Sequence, residues 1–259
     1  MNIFKLPFCY SFRTRINTLE SKISFIVTFL IPSYILSYWF GSQVESFNLI
    51  FALLFLALFI MYEIGYIWND FHTVLFELKP TMRLSNDQYL SMARSYPIHI
   101  ALRFLLICFL LYFLQYLTEV NVLLFLILIL LLNFSYSLHN FFRGKQNIVT
   151  IFLLMFFKYL SVPFVFVSNV NEFYQLLCFV FLVPLVRTFL FTTHSRFDFN
   201  FLHKKDVTKF RALYYLSSSL ILSVLFYFNS EFKYLFIISS LLLLFYSLAV
   251  MREVFKVEK

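Results

Sequence analysis

Residues 66–83, YIWNDFHTVLFELKPTMR, hold the densest set of side chains able to do chemistry. An apolar run enters this stretch from Phe47 and ends on Asn69-Asp70. His72, Thr73, Glu77, Lys79 and Arg83 follow before the next apolar run. Asp70, Thr73 and Glu77 stand at i, i+3 and i+7, which is one face of a helix. A carboxylate at the end of a membrane helix is costly unless something pairs with it, so it reads as functional. Acids beside bases match a Mg²⁺–phosphate complex: hard oxygen ligands for the ion, cationic donors for the phosphate oxygens. Residues 194–206, HSRFDFNFLHKKD, hold a sparser second set. Asp198, Leu202 and Asp206 there share a helical face at i, i+4 and i+8, apolar in the middle. For that set a solvated cationic loop is the plain alternative.

The elements that position these groups follow from composition. Hydrophobic residues make up 61% of the 259 residues and charged ones 13%, with three glycines. That balance excludes a soluble domain and implies an all-α, polytopic membrane bundle forming a single domain over 1–259. Eight runs are long enough to cross ~30 Å of hydrocarbon: approximately 23–40, 47–68, 98–118, 120–138, 148–168, 173–193, 211–228 and 232–251. The polar segment 1–22 precedes the first run without a small-residue cleavage site, so that helix is expected to be retained. Loops 70–97 and 194–210 carry the candidate site. They follow spans two and six, four helices apart, as in two parallel four-helix halves. Bases concentrate in the termini and in the loops on their side, whereas the opposite loops hold only Lys233. The positive-inside rule then places both termini and both large loops in the cytoplasm, with a bacterial inner membrane as the expected location. The net charge of +8 lies in short loops and is not a nucleic-acid signal. Cys9, Cys108 and Cys178 have no metal or disulfide spacing and read as small buried side chains. His99 and His139 read as interfacial, and Pro32, Pro163 and Pro184 as kinks that membrane helices tolerate.

Among the charges inside spans, three stand out: Glu63 in the second, Lys158 in the fifth and Arg187 in the sixth. Glu63 lies seven residues before Asp70, about two turns or ~10 Å deeper on the same stripe, too far to chelate the same ion. It is expected to pair with Lys158 or Arg187, or to polarise an acceptor. The two bases, if not so paired, would reach anionic substrate.

The stretch YxxNDxxxxxxxE resembles the first acidic motif of the UbiA-type intramembrane prenyltransferases, NDxxDxxxD at the end of helix two. Asn69 and Asp70 are identities, Glu77 is a conservative change, and Thr73 replaces an acid. Tyr136-Ser137 closes span four as the family's Tyr-Ser does, and loop 194–210 falls where its second acidic motif falls. Pro80-Thr81, Lys158 and His194–Asp198, in which Arg196 is identical, are similar to the branch that moves phosphoribosyl groups onto polyprenyl phosphate. The family has nine helices where this chain has eight, and its N-terminal Arg-Pro stretch is replaced by SFRTRI at 11–16.

The resemblance implies Mg²⁺-dependent transfer of a prenyl group from a polyprenyl diphosphate to an aromatic or lipid acceptor. Charge separation at the leaving diphosphate would be stabilised by the ion and by cations. Asp70, Glu77 and Asp198 take the catalytic positions. Asn69, Asp70, Glu77, Asp198 and, less centrally, Asp206 become metal ligands. Lys79, Arg83, Lys158, Arg187, His194, Arg196, Tyr136 and Glu63 become substrate-facing groups. Phosphoribosyl transfer to polyprenyl phosphate and a non-catalytic lipid-binding role are the alternatives, with transport a further one. Against transport, only three glycines are available to unwind a helix.

Overall fold

The computed structural model describes residues 6–73, 82–142, 144–193 and 206–257, with side chains as far as Glu253. Among these residues the chain is helical with no strand. We number the helices α1 (Cys9–Thr14), α2 (Leu19–Gly41), α3 (Phe47–Phe71), α4 (Asn86–Ala93), α5 (Tyr96–Leu117), α6 (Val122–Phe141), α7 (Asn147–Phe164), α8 (Val170–Thr192), α9 (Val207–Phe228) and α10 (Lys233–Val257). Eight of them, all but α1 and α4, are long and apolar enough to cross a membrane. The chain is an integral-membrane-type helical bundle, as its composition requires. Continuous helix is what satisfies every backbone group where no water is present.

The α3 helix is the most enclosed span and α9 the least. α1, α2, α5, α6 and α7 all pack on α3. Its Gly65 is the closest approach: a Cβ there would lie 2.8 Å from Cγ of Tyr136 on α6. The bundle closes where α10, paired with α9, meets α2. An ion pair between Glu20 at the start of α2 and Arg252 near the end of α10 puts both ends of the bundle on one face. We call this the terminal face, and the opposite one the hairpin face.

Two prolines act through a widened turn. A π-helical turn over Ile26–Leu30 precedes Pro32, and another over Phe181–Leu185 contains Pro184. Proline has no N–H to donate and crowds the carbonyl four residues back; a wide turn relieves both. Pro163 sits instead in the last turn of α7.

The cysteines depart from the expected burial. Cys108 on α5 and Cys178 on α8 are exposed on the outside of the bundle, and Cys9 is half-buried. Each of the two sits in a locally apolar stretch, LLICFLLYFL at 105–114 and LLCFVFLVPL at 176–185, where lipid-facing and core-facing positions read alike.

Candidate functional site

The site grows from one stripe of α3. Tyr62, Glu63, Tyr66 and Asp70 succeed one another toward the terminal face, at spacings that keep them on adjoining rows of one side. Asp70 is still helical, so loop 70–97 begins two residues later than expected, after Phe71. A second helix, α4, occupies its far end. Ser85 and Gln88 cap it reciprocally.

Over this stripe lies α1, a six-residue helix held by two carboxylates. Glu63 is fully buried, and Phe8 N donates to its Oε2 at 3.0 Å while Ser11 N donates to its Oε1 at 2.8 Å. The first of these bonds fixes a strained residue: Phe8 has φ of 69°, outside the ordinary range for an L side chain. The Phe8 ring stacks on Phe59 with centroids 4.9 Å apart. Farther along, Tyr10 Oη donates to Asp70 Oδ2 at 2.6 Å, and Arg15 Nη2 to Asp70 Oδ1 at 2.7 Å. Burial, with the Asp70 charge beside it, raises the Tyr10 phenol far above its ordinary value, so it stays protonated and donates. Burial alone would lower Arg15; the hydrogen bond and charge of Asp70 outweigh that and hold it above the usual arginine range.

Glu63 does not pair with Lys158 or Arg187. Its ion-pair partner is Arg103 of α5, with Nε 2.8 Å from Oε2. Arg103 also donates to the carbonyls of His99 and Leu6. This places His99 in the interior, not at the interface, with its ring beside the Ser95 hydroxyl. The correction has a simple cause. A buried carboxylate takes the base whose fork reaches it with the least rearrangement, and α5 packs directly on α3. Nothing at the level of spacing ties residue 63 to residue 103. With its oxygens so engaged, Glu63 anchors α1 and is not presented to a substrate.

Lys158 and Arg187 rest on aromatic rings instead. Lys158 Nζ lies 4.6 Å from the Phe29 ring centroid and 4.7 Å from that of Tyr62. Arg187 Cζ lies 5.6 Å from the Tyr159 centroid, and Lys158 Nζ is 5.9 Å from the same ring. Arg15 sits 4.6 Å over Tyr66, which packs edge-on to Tyr62 and Tyr136. Arg15 thus sits on a cluster of Tyr66, Tyr62 and Tyr136, and Lys158 bridges from Tyr62 to Tyr159, the ring under Arg187. Among the described residues no carboxylate pairs with Lys158 or Arg187. Arg15 Nε and Nη1 are buried without a hydrogen-bond partner. Cation–π contacts offset part of the cost of burying these charges, and the unused N–H groups remain donors for an anion.

The remaining candidates separate. Asn69 Nδ2 donates to Asp70 Oδ1 at 3.1 Å, and the Thr73 hydroxyl donates to Asn69 Oδ1 at 2.7 Å. Thr73, where the resemblance expects an acid, thus braces Asn69. Arg83 is exposed, and Asp206 begins α9 half-buried. Glu77, Lys79, His194, Arg196 and Asp198 lie outside the described residues. Among the described residues no three His, Cys, Asp or Glu side chains cluster as a metal site. A divalent ion at Asp70 would exchange places with the Arg15 guanidinium.

Beside this end, Trp68 of α3, His72 and Thr73 just after it, and Ser137, Leu138, Asn140 and Phe141 of α6 line a mainly apolar cavity of about 600 Å³. Tyr10, Arg15 and Arg103 are the groups that sequence reasoning missed. Arg15 and Arg103 carried a signal, being bases near acids, but their partners lie 55 and 40 residues away. No family model, no curated protein and no solved structure matches the chain.

Proposed function

We propose that the chain is an intramembrane transferase that binds a polyprenyl diphosphate and transfers its prenyl group to an aromatic or lipid acceptor. The observation that carries this reading is the set of three half-buried cations, Arg15, Lys158 and Arg187, gathered on tyrosine rings, with two N–H donors of Arg15 unused. Such a set suits the oxygens of a diphosphate at the end of an apolar tail. Asp70 stands at its terminal-face end, where, with Glu77 and Asp198, it would hold Mg²⁺. When bound, that ion would neutralise the leaving diphosphate. Arg15 would pass from the carboxylate to the phosphates, and the tyrosine rings would line a site closed to water. The apolar cavity beside Trp68 suits a tail or an acceptor ring. The terminal face is the cytoplasmic one in this reading.

A second reading is a lipid-phosphate-binding protein without transfer. It is favoured by one observation: Asp70 is already satisfied by Tyr10, Arg15 and Asn69.

Binding of farnesyl diphosphate and of phosphoribosyl diphosphate, each with and without Mg²⁺, separates the readings. Mg²⁺-dependent binding of the prenyl donor that is lost in Asp70→Asn supports prenyl transfer. The same behaviour with the phosphoribosyl donor supports phosphoribosyl transfer. Prenyl-phosphate binding indifferent to Mg²⁺ and to Asp70→Asn supports the lipid-binding role and overturns the transferase.

A further inference from the structure

The hairpin face carries a different chemistry. Each of its four turns carries one glutamate, Glu45, Glu119 and Glu231 in connections and Glu172 in the first turn of α8, and the one base there is Lys233 at the start of α10. Lys233 Nζ is turned over the Tyr234 ring, 5.6 Å from its centroid. Between the end of α2, the start of α8 and the α9–α10 hairpin lies a cavity of about 430 Å³. Trp39, Asn169, Asn171, Glu172, Gln175 and Glu231 supply its polar and aromatic lining. Two carboxylates therefore face one small space with no base in its wall. Glu172 uses Oε2 for the Ser168 amide and hydroxyl, which leaves Oε1 for the cavity. A second observation is independent of the acids. Gln175 is 5% exposed, and its Oε1 has no hydrogen-bond partner. A buried amide oxygen left unmatched costs free energy unless a donor arrives.

We propose that this cavity binds an organic ammonium group. Two carboxylates supply the counter-charge, the Gln175 oxygen accepts an N–H or a polarised C–H, and the Trp39 indole offers the ring that favours an alkylammonium over a bare metal ion. The rest of the wall fits the same choice. Only two anionic side chains line it, whereas Ca²⁺ takes six to eight oxygens. Trp39 also packs on Tyr234, with ring centroids 5.2 Å apart, which fixes the indole in place. The site stands at the boundary between the bundle and the aqueous phase, so the ammonium could belong to a free amine or to a lipid headgroup. It lies on the face opposite Asp70 and does not depend on the transferase reading.

The chain has two tryptophans, so Trp68→Phe leaves Trp39 as the sole indole reporter. That protein, in phosphatidylglycerol nanodiscs, is titrated with choline chloride, with NaCl at equal ionic strength as the blank and with CaCl₂ in parallel. The expected result is a saturable change in Trp39 emission with choline. Glu172→Gln/Glu231→Gln should weaken the response at least about tenfold, which corresponds to ~1.4 kcal/mol. Both changes are isosteric and lie at the surface, so folding is retained, and Gln175→Leu provides an independent second weakening. Nanodiscs doped with phosphatidylethanolamine separate the two sources: a higher choline midpoint assigns the site to a lipid headgroup, and an unchanged one to a free amine. A response to NaCl equal to that to choline, saturation by CaCl₂ alone, or a midpoint indifferent to the double substitution overturns the proposal.

Discussion

Arg103→Leu should release α1 from the bundle. In the folded protein Glu63 is fully buried and its charge is met by Arg103 Nε and by the amides of Phe8 and Ser11. Removing one partner of a buried pair costs about 3–5 kcal/mol, because the other charge stays behind. Two amide donors remain, so the lower end, ~3 kcal/mol, is the better expectation here. The cheapest escape is local: α1 lifts, water reaches Glu63, and the rest of the bundle stays folded. A change of ~3 kcal/mol is roughly a hundredfold shift in that opening equilibrium. Ser11 is a suitable reporter, since it is fully buried and its hydroxyl has no partner. In a background with Cys9, Cys108 and Cys178 replaced by Ala, Ser11→Cys should label with a water-soluble maleimide on the order of a hundred times faster when Arg103→Leu is added. Glu63→Gln/Arg103→Met, which removes both charges, should restore most of the protection. An unchanged labelling rate in Arg103→Leu would show that the pair does not hold α1 down, and the reasoning would fail.

Three further outcomes follow from the same contacts. Arg15→Ala removes the cation from Asp70 Oδ1, leaving only the Asn69 amide there, and should tighten Mg²⁺ binding while weakening prenyl-diphosphate binding; calorimetry with each ligand separates the two effects. Gly65→Ala drives a methyl to 2.8 Å from the Tyr136 ring, and overpacking of this kind costs about 1–3 kcal/mol, read as a lower unfolding midpoint in detergent. Ser85→Cys, exposed before α4, should label in cells only with reagents that reach the cytoplasm, and Glu119→Cys on the hairpin face only with those that act from outside; the reverse pattern would invert the assigned sidedness.

The bundle was legible because hydrocarbon imposes one rule on every span: length and apolarity, which α2, α3 and α5–α10 each meet. Asn69 and Asp70 were legible as a polar break in an apolar run. The partners of the buried charges were not. Glu63, Lys158 and Arg187 offered two bases for one acid, yet the acid chose Arg103 and the bases chose Phe29, Tyr62 and Tyr159. Ring contacts leave no spacing signature in a chain with 39 phenylalanines and 17 tyrosines. α1 escaped notice because six residues carry no usable periodicity, and its position is set by Glu63 and Asp70, more than fifty residues away. Cys108 and Cys178 show the same limit: the apolar stretches around them do not announce which side meets lipid.

Catalysis itself is tested most directly by diphosphate release. Purified protein in nanodiscs is given farnesyl diphosphate, Mg²⁺ and total membrane lipid as acceptor, and inorganic pyrophosphate is measured against time. The account predicts Mg²⁺-dependent release with a matching prenylated product by mass spectrometry, lost in Asp70→Asn and strongly reduced in Lys158→Met. Tight binding of the prenyl diphosphate with no pyrophosphate released, or release equal in wild type and Asp70→Asn, would contradict it.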